Sequence, residues 1–113
     1  MGHAVVGIGG DERTPLFHPA TEDIVLTDVL HALSDPIRLE MVRQLDECAA
    51  ERACGTFDLP VAKSTATYHW RVLRECGVVQ AREAGTRKFH RLRRADLEAR
   101  FPGLLDSVLA HTG

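Results

Sequence analysis

A chain of 113 residues gives room for one domain with a real core and not for two. At 44% hydrophobic and 27% charged residues it has the composition of a soluble globular protein, and its short apolar runs exclude a bilayer-spanning helix. The net charge of −2 hides a division: residues 1–60 carry 11 Asp/Glu against 4 Lys/Arg, residues 61–94 carry 2 against 9, and residues 95–113 carry 3 against 1. A basic block inside an acidic chain is an electrostatic footprint for a polyanion. Six aromatics are too few to build stacking platforms for single strands, so double-stranded DNA is the expected partner. Cys48, Cys54 and Cys76 are an odd number and form no disulfide framework. With no secretory signal before the fold, a cytoplasmic location is expected.

Residues 1–21 hold four glycines and two prolines without a sustained period and read as a flexible N-terminal arm. Residues 22–113 form the expected folded domain. A first helix is predicted from Thr21 as N-cap, with Glu22 and Asp23 in its first turn and Leu26, Leu30 and Leu33 on one face. Asp35 before Pro36 marks a second start, and Ile37, Met41, Leu45 and Cys48 form its apolar stripe. Residues 51–59 read as a loop leading into a short helix near 58–62.

A third helix is predicted over 65–76, capped by Ser64 and ended by Gly77. Strand-like runs at 78–82 and 88–92 flank a Gly-tipped connection at 83–87. The last helix starts near Ala95 or Asp96, is interrupted at Pro102-Gly103, and carries Leu97, Phe101, Leu104, Leu105, Val108 and Leu109. Short helix, turn, longer basic helix and basic hairpin is the order of a winged helix-turn-helix, mainly α with a small β-hairpin wing. The final helix has more apolar surface than one small domain covers, so a homodimer is expected, and with it a pseudo-palindromic operator.

At about 100° per residue, Ala66, Trp70 and Leu73 of the third helix face the core, with Cys76 at their edge. Ser64, Thr67, Tyr68, Arg71 and Glu75 lie on the opposite face. Hydroxyls and an arginine there suit phosphate and base edges, Arg71 matching guanine, while Thr65 in the first turn lies where backbone N–H groups meet phosphate. At the wing, Arg87 and Lys88 are the expected phosphate contacts, with Arg82 and Arg91 behind them. His69, between the two faces, is expected to pack or to hydrogen-bond.

The stretch 30–92 resembles the ArsR/SmtB family of bacterial transcriptional repressors, through LHALSDPIRLEMVRQL (30–45), STATYHWRVLRECGVV (64–79) and REAGTRKFHRL (82–92). The resemblance implies a homodimer built on the first and last helices, binding an inverted-repeat operator and releasing it on a metal ion or oxidant. Tyr68 stands where many members have histidine, and Trp70 replaces the more usual leucine. The family's last-helix metal site falls on Arg94, Asp96, Ser107 and Ala110, of which only Asp96 could ligate, with His111 one residue from the last slot. Its cysteine site needs two cysteines one residue apart, whereas Cys48 and Cys54 are separated by five residues, which disfavours a soft-metal thiolate site.

Removal of Met1 would expose Gly2, whose amine joins the next amide and the His3 imidazole in a nitrogen-rich chelate for Ni(II). The start MGHAVVG resembles that of nickel- and cobalt-sensing members, so Gly2, His3, Asp96 and His111 are the expected ligands for Ni(II) or another divalent transition metal. His18 and His31 are further donors. The alternatives are a thiol or redox response through Cys48 and Cys54, and an interaction module acting with a partner regulator. An enzyme is not expected, because Gly7-Ile8-Gly9-Gly10 precedes any strand and no nucleophile–base pair is spaced for catalysis.

Overall fold

The computed structural model describes residues 16–48, 52–53 and 57–112. A 3-10 turn (Thr21–Asp23) leads into α1 (Leu26–Ala32), α2 (Pro36–Cys48), β1 (Arg52–Ala53) and α3 (Lys63–Glu75). The hairpin β2 (Val79–Ala84) and β3 (Arg87–Leu92) follows, then α4 (Arg94–Arg100) and α5 (Leu104–Ala110). The expected mainly α winged helix-turn-helix is therefore the observed fold class. The sheet is antiparallel in the order β1-β3-β2, with Arg52 opposite His90 and Val79 opposite Leu92.

Local chemistry accounts for most boundaries. Pro36 opens α2 with its φ already helical, and Asp35 Oδ2 accepts from the Ile37 and Arg38 amides at 2.8 and 3.1 Å. Met41, Val42 and Leu45 of α2 are fully buried against Ile24, Val29, Leu73, Val78 and Val79. Helix α3 ends in a Schellman pair: the Gly77 amide bonds Arg74 O at 3.1 Å and the Val78 amide bonds Leu73 O at 2.9 Å. Gly77 has φ +89°, and a Cβ there would stand 2.8 Å from Ile24 Cγ1, so both conformation and packing demand glycine.

The hairpin closes on two residues, Gly85 and Thr86, not on the five expected at 83–87. Gly85 supplies the positive φ, 65°, that a two-residue turn needs to match strand twist.

Several expectations fail for tertiary reasons. Thr21 is not the cap of one long helix; the chain breaks at Ile24 and Val25, and Ile24 is 1% exposed. The buried face of α1 is Val29, Ala32 and the adjoining Leu33, while Leu26 and Leu30 point outward at 43% and 45% exposure. Helix α3 begins at Lys63 with Ala62 as its uncapped N-cap, so Ser64 lies inside the first turn. Cys48 is exposed, off the buried stripe of α2.

No helix forms at 58–62. Gln44 is 7% exposed and clamps the Asp58 backbone, donating to its carbonyl at 3.1 Å and accepting from its amide at 3.3 Å. The Asp58 carbonyl taken by Gln44 is one that a helix starting there would need, and Leu59 is further held out of the helical region by Pro60. The short strand β1 lies where a loop was expected, created by pairing to β3. The last helical stretch starts at Arg94 and is two helices, because Gly103 at φ +82° separates them.

Of the expected arm, residues 1–15 lie outside the described residues. The segment 16–20 runs extended along the body. Phe17 O accepts from Arg74 Nε at 3.1 Å, His18 Nε2 accepts from the Ala81 amide at 3.0 Å, and Pro19 O accepts from Arg93 at 2.8 Å.

Candidate nucleic-acid interface

Helix α3 divides into two faces. Trp70 and Leu73 are 3% and 0% exposed and His69 is 8% exposed, while Ala66 and Cys76 are half-buried at the edge of the core. Ser64, Thr65, Thr67, Tyr68, Arg71 and Glu75 are all exposed. The first-turn amides of α3 precede any intrahelical acceptor and point out of its N-terminus, beside Ser64 and Thr65.

What fixes α3 against the wing is an aromatic stack. Trp70 lies flat on His90 of β3, with centroids 3.9 Å apart and planes 13° apart, and Phe57 meets the Trp70 ring in an edge contact with centroids 4.8 Å apart. His90 is wholly buried, and among the described residues neither its ring nitrogens nor Trp70 Nε1 has a hydrogen-bond partner. Burial, reinforced by Lys88 and Arg74 nearby, pushes the His90 imidazole down to about 4, so it packs as a neutral ring.

Between α3 and the wing lies a half-open groove of about 1150 Å³. Its walls bring together Ser64, Thr67, Tyr68 and Arg71 from the helix with Arg87 and Lys88 from the wing. Lys63, Arg74 and Thr86 also line it, and sequence reasoning missed them. Arg74 was findable: it sits seven residues after Thr67, two helical turns along the same face. No carboxylate is among the described residues lining the groove.

Ring faces orient several of these cations. Arg71 lies over Tyr68 at 5.6 Å, and Arg82 and Arg87 lie over Phe89 at 4.8 and 5.3 Å. Such contacts direct a guanidinium without cancelling its charge. Lys88 is 4.0 Å from Glu83, and Arg91 donates to Gln80 at 2.7 Å.

The expected metal donors fare differently. Gly2 and His3 lie outside the described residues, as does Cys54. Asp96 has both oxygens engaged, one by Thr21 Oγ1 and one by Arg93 Nε, each at 2.9 Å. Burial raises the Asp96 carboxyl, but the Arg93 and Thr21 bonds outweigh it and hold the group below its ordinary value. His111 Nδ1 bonds Ser107 O at 2.8 Å, His18 Nε2 is held by the Ala81 amide, and Arg94 pairs with Asp46 and Asp106. Among the described residues no three His, Cys, Asp or Glu side chains gather around one point. Nor is any helix among them long and apolar enough to cross a membrane.

A helix with one buried face anchored to a β-wing, its polar and basic side chains facing one groove, defines a winged helix-turn-helix transcriptional regulator. No family model matches the chain. It is 31% identical over 90 residues to the HTH-type transcriptional regulator YceK of Bacillus subtilis, covering 78% of this chain and 90% of that protein. The crystal structure of the transcriptional repressor BigR from Xylella fastidiosa is 29% identical with a TM-score of 0.55, over 67% of this chain and 85% of that one. An ArsR-like transcriptional regulator from Rhodococcus sp. RHA1 is 28% identical with a TM-score of 0.55, over 75% and 86% of the two chains. The chain belongs to the ArsR-like family of DNA-binding transcriptional regulators, and it is not an enzyme.

Proposed function

We propose that this regulator works as a homodimer that sets α3 of each protomer in the major groove of an inverted-repeat operator, with its wing on the flanking backbone. The observation carrying this reading is the α3–wing groove, where helix hydroxyls and Arg71 share walls with Arg87 and Lys88 and no carboxylate intervenes among the described residues. Arg71 would read a guanine edge, Ser64, Thr65, Thr67 and Tyr68 would meet base edges or phosphate, and Arg87 and Lys88 would hold phosphates. Support for the dimer comes from the exposed apolar side chains Val25, Leu26 and Leu30 and from the half-buried Leu104, Val108 and Leu109 of α5.

The test is duplex binding beside sedimentation equilibrium, for the wild type and Leu30→Glu. The expected result is a wild-type dimer that selects a palindromic duplex, and a Leu30→Glu monomer that keeps its fold but binds a half-site weakly. A wild-type protein that is monomeric, or that binds DNA only in the presence of another regulator, would overturn the reading in favour of a partnered module.

Repression relieved by Ni(II) is the effector reading, and it rests on the Gly2-His3 chelate, with Asp96 and His111 as its further ligands. Calorimetric titration of Ni(II) into the wild type and His3→Ala decides it: tight binding that His3→Ala weakens is expected, and equal binding sinks it. The exposure of Cys48 favours a thiol response as the second reading. Loss of DNA affinity on mild oxidation, absent in Cys48→Ser, would establish it.

A further inference from the structure

Arg38 projects from the first turn of α2 yet is 6% exposed. Its guanidinium donates to the last turn of α1, from Nε to Ala32 O at 2.7 Å and from Nη2 to His31 O at 3.3 Å. Its remaining arm, Nη1, lies 3.0 Å from His69 Nδ1 on α3. A guanidinium has donors only, so His69 Nδ1 is the acceptor and the neutral ring carries its proton on Nε2. That side of the ring faces Asp35 Oδ2 at 3.9 Å, and Asp35 is the cap that starts α2. One side chain therefore joins three helices.

The place of His69 gives this bond its meaning. It sits between Tyr68 on the exposed reading face and Trp70 in the core, with the Tyr68 and His69 rings 5.4 Å apart. The Trp70–His90 stack holds α3 by apolar contact, which tolerates sliding and small rotations. A hydrogen bond is directional and weakens steeply off axis, so the Arg38 bond fixes the rotation of α3 about its own axis. Burying a guanidinium is not how a fold gains stability: an apolar replacement of similar volume is often neutral or better.

We propose that Arg38, acting through the neutral Nε2–H form of His69, is a positioning residue for DNA reading. It ties the rotation of α3 to the C-terminal carbonyls of α1, the helix that carries the exposed Leu26 and Leu30. The orientation of Arg71 and Tyr68 then follows α1, and any change in how α1 is held reaches the reading face through this bond. The inference rests on the α3-in-groove reading given above.

The experiment selects duplexes of about 30 base pairs from a random library with the wild-type full chain, then measures affinity for the recovered and a scrambled duplex. His69→Leu should lower the recovered-to-scrambled affinity ratio by roughly tenfold at an unchanged salt slope, since phosphate contacts persist. His69→Gln, whose Oε1 can accept from Arg38, should restore the ratio to within about threefold. A merely structural role would reduce both affinities together and leave the ratio alone. An unchanged ratio in His69→Leu, or an equal loss in His69→Gln, overturns the proposal.

Should the variants fail to fold, the wild-type His69 tautomer read by long-range 15N–1H NMR still decides: a proton on Nδ1 overturns it, and a proton on Nε2 supports it. If the wild type recovers no preferred duplex, the DNA reading itself falls and takes this inference with it. Normal recovery with indifferent variants removes the inference alone.

Discussion

At the wing, Arg82 and Arg87 lie over the Phe89 ring and Arg71 lies over Tyr68, whereas around α4 and α5 Arg94 pairs with Asp46 and Asp106 and Arg93 with Asp96. The same residue type is used in opposite ways. Aromatic faces hold the first group in place, and Arg71 and Arg87 have no carboxylate partner among the described residues, which leaves them ready for phosphate. Carboxylates neutralise the second group, beside the exposed Leu26 and Leu30 of α1 and the half-buried Leu104, Val108 and Leu109 of α5. Charge is kept where a polyanion would bind and quenched where another apolar surface would.

The sharpest way to break the comparison is to remove the stack that holds the reading side together. Trp70→Ala should destabilise the fold by about 3–5 kcal/mol in urea unfolding, because it opens a cavity against His90 and Phe57. A loss under 1 kcal/mol would mean the wing is held by other contacts. Acid titrates the same stack. Unfolded, His90 has its ordinary value of 6.5, and folded it has about 4, so the unfolded chain takes up the proton across that interval. This contribution is complete above pH 6.5, declines as pH falls, and is lost by about pH 4, amounting to about 3 kcal/mol. His90→Phe should flatten that part of the stability–pH curve, and an unaltered curve would show that another group carries it.

Smaller effects separate reading from holding. Arg71→Ala should reduce operator affinity by about 1–3 kcal/mol and relax one base position. Arg87→Ala should weaken recovered and scrambled duplexes alike and lower the salt slope by about 1. Identical behaviour of the two variants would erase the division between helix and wing. The least effect is expected of Asp35→Ala, about 1 kcal/mol of thermal stability from the lost cap on α2.

What the sequence made legible was the chemistry that acts over a few residues. Asp35-Pro36, Gly77 and Gly85 each mark a boundary because cap and turn geometry is decided locally. The outward face of α3 followed from helical spacing in the same way. The errors share a different cause. Leu26 and Leu30 look like core on a helical wheel, but the break at Ile24 turns Val29, Ala32 and Leu33 inward instead. The short helix expected near 58–62 does not form, because nothing nearby announces that Gln44, 14 residues before Asp58, holds the Asp58 backbone. The pairing of Arg38 with His69 spans 31 residues, and neither residue alone forecasts the other.

The bond from the Ala81 amide to His18 has a consequence for how this protein behaves at high concentration. Strand β2 is an outer strand of its sheet, and an outer strand offers its amides as a template on which other chains assemble. Here one of those amides, near the middle of β2, is already occupied by an imidazole from the segment that precedes α1. Residues 16–20 thus act as a guard rail, closing part of the sheet's margin to intermolecular β-pairing while adding no strand of their own.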